Sequence, residues 1–327
     1  MKLRGAVLRE RLPGYVGQAA LLAGVAWLAF AGASNFIDNV ARLRIASGFR
    51  FLDAHAGFEI AQSLIPFGAG ASYGRAVVVA TLNTLLVVAL ASLLSTFLAL
   101  MVAFGRLAAH PLVRGASALY VETFRNIPLL LQIFFWYFSV LALLPPVADS
   151  FHLGGVLLNN RGLFLPRLHV SGGIGLEWPH AEGFNVEGGV ALLPELVALT
   201  LGLAIYNSAF LAEIFRAGIL SVPRGQVEAA TTLGLTPTRA AVLVILPQAL
   251  RLALPPAAGQ YQTLAKASSL GAAIGYPDIM QIVGGTILSQ TSQALEAMTL
   301  VVLLYAAINL SIAVALNVAN RRTMKRA

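Results

Sequence analysis

The chain alternates long apolar windows with short polar connections. Residues 12–37, 76–103, 126–148 and 297–320 contain no Asp, Glu, Lys or Arg, and each reaches the roughly 20 helical residues that a bilayer demands. Two further stretches carry one charge near their start: 190–212 with Glu195, and 247–266 with Arg251. The pattern predicts an all-α polytopic membrane protein with about six transmembrane helices. Two longer connections separate the windows. Residues 38–74 include "FLDAHAGFEIAQSLIPF", expected to form a short amphipathic or interfacial element. Residues 149–189 are rich in Gly, Pro and His and are expected to form an exposed loop or hairpin.

Polar residues recur at helical spacing inside the windows: Thr81, Thr84, Ser92 and Ser95; Thr200, Asn207 and Ser208; Tyr305, Asn309 and Asn317. Such stripes serve helix packing or line a polar path. In the 247–266 window, Pro255 and Pro256 stand mid-span, and each removes an amide donor and crowds the preceding turn. A helix broken at membrane depth is the expectation there. Lys266 follows at the far end, either as a functional charge or as a side chain snorkelling to the interface.

Composition agrees with the pattern. The 327 residues are 58% apolar and 11% charged, with mean hydropathy +0.79, which excludes a single soluble core. The basic start "MKLRGAVLRER" before an apolar run also fits a secretory signal, but the length of the run favours a retained anchor. The formal charge of +8 invites a nucleic-acid reading. Its distribution argues against one. With six spans and a cytoplasmic N-terminus, fourteen basic residues fall inside: Lys2, Arg4, Arg9, Arg11, Arg106, Arg114, Arg125, Arg216, Arg224, Arg239, Arg321, Arg322, Lys325 and Arg326. Six fall outside: Arg42, Arg44, Arg50, Arg75, Arg161 and Arg167. That bias is the positive-inside rule. The absence of cysteine excludes disulfides, thiolate metal sites and a cysteine nucleophile. The five histidines form no HExxH pattern and all lie outside the windows, so no metal or cofactor is expected and an enzyme is not indicated.

One segment between two spans is too polar and too broken to cross a bilayer: "EAATTLGLTPTRAAVLVILP", residues 228–247. Pro223 suits the first turn of a helix, Gly234 the left-handed residue that ends it, and Thr236 with Pro237 the start of a second helix. Two short helices with a sharp bend are expected, with Ala229 and Ala230 leaving a low surface and Glu228 adding an anchoring charge. A DNA-reading helix-turn-helix needs polar groups on its second helix. Here that helix is "TRAAVLVILPQAL" and runs into a span.

Glu228, Ala229, Ala230, Gly234, Leu246 and Pro247, at this spacing, resemble the EAA loop of ABC importer permeases, with Val244 where that family usually has Ile. The stretches "YVETFRNIPLLLQIFFWYF", "YNSAFLAEIFRAGILSVPRGQ", "LPQALRLALPP" and "AIGYPD" are similar to its polar amino-acid subfamily. "AGFEIAQSLIPF" and "LNNRGLFLP", with the extra N-terminal span, resemble the general L-amino-acid branch. The chain departs from that branch after Leu165, where its relatives commonly carry further spans. The resemblance implies a type I ABC importer permease core over 76–322, an N-terminal span and connection over 1–75, a coupling loop over 221–246 and a basic tail over 323–327. It implies a multi-pass inner-membrane protein with both termini cytoplasmic, paired with a second permease in a heterodimer or, as fallback, a homodimer. A cytoplasmic ABC ATPase dimer and an extracytoplasmic amino-acid-binding protein would complete the importer. No GxxxxGK[ST] occurs, so ATP hydrolysis falls to a separate chain. Candidate pathway or substrate residues are Gln260, Lys266, Asn207 and Thr84, with Glu213 and Arg216 read as cytoplasmic residues that orient the loop. The alternative is an ion-coupled secondary amino-acid transporter, which places carboxylates in mid-span; Glu122, Glu195, Glu213 and Glu296 all sit near span ends.

Overall fold

A computed structural model describes residues 2–42, 48–169, 175–183 and 185–325. Arg44 and Arg326, counted in the charge bias, lie outside the described residues, as do 170–174 and 184 of the long connection. The chain divides into two units, 1–49 and 50–327. The first holds α1 (Lys2–Arg42), whose stretch Gly14–Gly32 is long and apolar enough to cross a membrane.

The second unit is a helical bundle: α2 (Tyr73–Leu107), α3 (Pro111–Asn126), α4 (Leu129–Leu143), α5 (Pro194–Leu220), α6 (Arg224–Thr232), α7 (Pro237–Ala240), α8 (Leu246–Ala267), α9 (Leu288–Thr291) and α10 (Ala294–Lys325). Among the described residues, five stretches are long and apolar enough to span: Gly14–Gly32, Tyr73–Leu107, Pro194–Leu220, Pro237–Ile274 and Ala294–Val318. α5 is the hub, packed on α2, α4, α8 and α3. Its buried positions and those of α2 include many small residues, Ala76, Ala80, Ala91, Ala198 and Ala204 among them. Without a hydrophobic force between helices in lipid, such close approach is what dispersion attraction requires.

The window 126–148 does not give one full span. α4 has 15 residues, about 22 Å at 1.5 Å each. The element starts earlier, as α3 of 16 residues, and breaks at Ile127-Pro128. A residue before proline is pushed out of the helical region, and Ile127 sits at φ −91, ψ 126. Gln132 repairs the break by donating from Nε2 to the carbonyls of Phe124 (2.9 Å) and Ile127 (3.0 Å).

Pro255 and Pro256 do not break α8, contrary to expectation; the helix runs through both. Both prolines and Leu252 lie on an exposed face, so the crowding falls away from the packed side, where Ala249, Ala253 and Ala257 are buried. The irregularities stand instead at the two ends of α8. A π turn, Ala241–Ile245, precedes it, and a 3-10 segment, Ser268–Ile274, follows it. The π turn widens the helix just before Pro247, whose ring would otherwise crowd the carbonyl four residues back.

The 38–74 connection, expected to hold a short amphipathic or interfacial element, forms no α-helix over 48–72. After a five-residue 3-10 turn, Phe49–Asp53, the chain doubles back in extended form, with Ala56 N donating to Ala71 O (2.8 Å) and Tyr73 N to Ala54 O (3.0 Å). Ala56 and Ile60 enter the main core, so this stretch belongs to the bundle. The 149–189 region, expected as a loop or hairpin, carries strands β1 (Phe151–Leu153), β2 (Val156–Asn159), β3 (Gly162–Leu165), β4 (Arg167–His169), β5 (Gly175–Glu177), β6 (His180–Glu182), β7 (Asn185–Glu187) and, just beyond it, β8 (Val190–Leu192). They form an antiparallel sheet ordered β1-β2-β3-β8 and two hairpins, β4-β5 and β6-β7.

A buried polar cluster locks the segment after α8 to α2 and α10. Asp278 is fully buried; its Oδ1 accepts from Gln281 N (2.8 Å) and its Oδ2 from the Tyr305 hydroxyl (3.1 Å). Tyr276 donates its hydroxyl to Asn83 O (2.8 Å), and Ile279 N donates to Thr84 Oγ1 (3.1 Å). At the opposite end of α5, Gly218 lies against α8: a Cβ there would meet Ala249 O at 2.8 Å and the Ala253 Cβ at 3.1 Å.

Two outcomes follow for stability. Gly218→Val forces α5 and α8 apart and costs about 1–3 kcal/mol, read as a lower thermal unfolding midpoint in detergent; an unchanged midpoint contradicts the contact. Asp278→Ala leaves the Gln281 amide and the Tyr305 hydroxyl without an acceptor and costs about 1–3 kcal/mol. Tyr305→Phe, which removes one donor, costs less in the same assay, and an equal or larger loss contradicts the assignment.

Candidate functional site

The segment singled out by sequence projects from the end of α5. Ser221 Oγ donates to Gly218 O (2.6 Å), and Val222 is buried. Pro223 is the N-cap of α6 and not its first residue. The helix ends in a paired hydrogen-bond motif: Leu235 N donates to Ala230 O (3.1 Å) and Gly234 N to Thr231 O (2.9 Å). That ending satisfies two orphan carbonyls and needs a left-handed residue at its turn. Gly234 supplies it, at φ +78. Thr236 then caps α7, its Oγ1 accepting from Arg239 N at 3.4 Å, with Pro237 as the first helical residue. Leu246 and Pro247 open α8.

Helix phase now separates the two alanines. Ala230 is 4% exposed, as is Ala240, and α6 contacts both α7 and the π turn. Ala230 therefore packs inward, and the expectation that both alanines form an outer surface holds for Ala229 alone. Glu228 and Ala229 are exposed, and Glu228 forms no ion pair among the described residues. Leu233 was not singled out by sequence and is 82% exposed. It is the helix C-cap, and the motif that buries Ala230 turns it outward. A second tie fixes α6 to α8: Gln248 Nε2 donates to Gln226 Oε1 (2.9 Å).

Behind this projection, charges join α2 to α5. Arg106 Nε donates to Glu213 Oε1 (2.9 Å), and Arg216 donates to Glu213 Oε2 from Nε (2.9 Å) and NH2 (2.8 Å). Three donors on one half-buried carboxylate make Glu213 a clamp on the helix ends, not a free anion for a substrate ammonium.

The four candidate pathway residues have different surroundings. Thr84 is buried and accepts from Ile279 N while donating to Ala80 O (2.9 Å). Asn207 is buried and donates to Ser95 Oγ (3.1 Å). Both hold helices together. Gln260 lines a cavity of about 520 Å³ with Arg125, Phe210, Glu213 and Pro256, in which the Arg125 guanidinium lies 4.9 Å from the Phe210 ring centre. Lys266 is exposed in the last turn of α8. Sequence reasoning passed over Asp278, a carboxylate inside the bundle, because no apolar window contains it. Both its oxygens are engaged in the lock described above.

The chain is similar to known proteins along most of its length. Residues 95–325 match the family described as binding-protein-dependent transport system inner membrane component. The putative amino-acid ABC transporter permease protein YhdX of Escherichia coli is 41% identical over 348 residues, covering 88% of this chain and 88% of that protein. The general L-amino acid transport system permease protein AapQ of Rhizobium johnstonii is 39% identical over 334 residues, covering 84% of this chain and 82% of that protein. Among solved structures, an amino acid ABC transporter crystallised with histidines aligns with a TM-score of 0.56 at 24% identity, over 76% of this chain and 95% of that one. The fold is that of the type I importer permeases. With a family match across most of its length and relatives similar to it over most of theirs, the chain belongs to the inner-membrane permease components of binding-protein-dependent ABC transport systems.

Proposed function

We propose that this chain is the membrane-spanning permease subunit of an ATP-driven amino-acid importer and that α6 is its coupling helix. The observation that carries the coupling role is the geometry of 223–237: a short helix held by Gly234, Ala230 and Gln226, presenting Glu228, Ala229 and Leu233 outward. A rigid knob between two spans transmits displacement in both directions. A cytoplasmic ABC ATPase dimer closes on ATP, pushes the knob, and moves α5 and α8 together through the Gly218–Ala249 contact. The pathway forms between this chain and a second permease, most simply a different sister subunit, with a homodimer as the other arrangement. An extracytoplasmic binding protein delivers the amino acid. Both termini face the cytoplasm, in accord with the charge bias, and the amino-acid cargo follows from the relatives' names.

An ion-coupled carrier needs a carboxylate in mid-span that is free to bind its ion. Asp278 is committed to Gln281 and Tyr305, and Glu213 to two arginines, which favours the ATP-driven reading.

Glu228→Arg combined with Gly234→Pro reverses the exposed charge and destroys the left-handed turn. The expected result is at least a tenfold loss of ATP hydrolysis stimulated by loaded binding protein, with weakened ATPase co-purification. The milder Leu233→Asp leaves the fold of the isolated chain intact and reduces the same stimulation. Normal assembly and stimulation in both variants contradicts the coupling assignment. Uptake driven by an ion gradient in vesicles lacking ATPase and binding protein contradicts the importer reading as a whole.

A further inference from the structure

A second cavity, of about 670 Å³, lies at the end of the bundle that carries the β-strands. Its volume falls in the range of small-molecule sites, about 300–1,000 Å³. Three charged side chains line it: Glu59, Arg161 and Glu195. Glu59 comes from "AGFEIAQSLIPF" and Arg161 from "LNNRGLFLP", two stretches about 100 residues apart that the coupling role leaves without a purpose. Local structure places each. Arg161 sits in the tight turn between β2 and β3, where its amide donates to Asn159 Oδ1 (2.9 Å). The buried Asn159 is held in turn by Ser150 (2.9 Å). Glu195 is in the first turn of α5.

Opposite charges sharing a cavity ordinarily pair. Among the described residues these three do not. Arg161 donates from NH1 to Asn185 Oδ1 (2.7 Å), and Glu195 accepts from the Tyr137 hydroxyl (3.2 Å). A fourth lining residue, Gln281, has a buried Oε1 with no hydrogen-bond partner. It is one of nine buried side-chain polar atoms without a partner among the described residues, and the one that belongs to this cavity, where a donor would satisfy it. A simple anion meets two carboxylates here, and a simple cation meets a guanidinium. A molecule carrying both signs close together meets neither penalty.

We propose that this cavity binds the backbone of an α-amino acid as a zwitterion: Arg161 takes the carboxylate, and Glu59, Glu195 and the Gln281 carbonyl take the ammonium. The amino-acid side chain is left to Phe58 and Pro277, which also line the cavity, so recognition rests on the group that all L-amino acids share. The site rests on the importer reading and adds to it a receiving position at the outer mouth, separate from the Gln260 cavity.

The test uses the assembled transporter in nanodiscs and titrates three probes: L-glutamine, glutaramate, which lacks the ammonium, and 4-aminobutanamide, which lacks the carboxylate. Arg161→Gln is expected to weaken L-glutamine and glutaramate at least tenfold and to leave 4-aminobutanamide unchanged. Glu59→Gln with Glu195→Gln is expected to weaken L-glutamine and 4-aminobutanamide and to spare glutaramate. Unchanged L-glutamine binding in both variants, or an equal loss for all three probes, overturns the site. So does a variant that binds free L-glutamine normally but needs more loaded binding protein to stimulate ATP hydrolysis, because the cavity is then a docking face for that protein. If the unaltered transporter responds to no amino acid, the importer reading fails; if it responds and the variants bind as it does, the cavity alone fails.

Discussion

The approach of Gly218 to the Ala249 carbonyl is the contact on which the end of the bundle that carries α6 depends. It brings α5 and α8 close enough that the short segment between them must leave the bundle and return within a few turns. That geometry leaves room for α6, one bend and α7, and little else. Glu213 reinforces it from the other side by clamping Arg106 of α2 and Arg216 of α5. Exposed ion pairs contribute little. This one is half-buried and shares a carboxylate between three donors, so it fixes direction as well as adding energy. The projecting segment 221–246 is therefore rooted on helices tied to one another by packing and by charge.

At the other end of the bundle, the organising constraint is satisfaction of polar groups away from water. The segment 275–279 is irregular and leads into a π-helix, Met280–Ile287; since it lies among helices, its turn and side chains need partners from them. Asn83, Thr84 and Tyr305 supply those partners, and Asp278 joins the N-terminal turn of the next segment to α10. Thr84, a pathway candidate by sequence, is engaged in this way, while Asn207, another, bonds Ser95 between α5 and α2. Gln281 Oε1 is one of several buried acceptors left open, Asn83 Oδ1 and Asn309 Oδ1 among them, and Gln281 lines a cavity whose charges have not paired with one another.

How much was legible depended on how local the signal was. The bend at 233–237 could be read from sequence because Gly234, Thr236 and Pro237 act on their own backbone within one turn. The inward position of Ala230 could not, since the phase of a two-turn helix is set by what it packs against. The 126–148 window gave only the 15 residues of α4, because Pro128 divides it from the charged α3, and Gln132 bridges that break. Pro255 and Pro256 misled in the opposite direction, because their cost depends on whether the crowded face is packed or open. Asp278 escaped notice for a similar reason. Its burial comes from tertiary packing, and the residues around it in sequence are those of an ordinary loop.

The chain has no cysteine, so a single introduced thiol reports one position without background. The most direct measurement is the rate of maleimide labelling of Leu233→Cys in the isolated permease and in the complex with its ATPase, with Ala230→Cys beside it. The account expects Leu233→Cys to label rapidly alone and at least tenfold more slowly in the complex, while Ala230→Cys stays slow in both. Equal labelling of Leu233→Cys with and without the ATPase would contradict the claim that α6 is the surface through which the membrane bundle is driven.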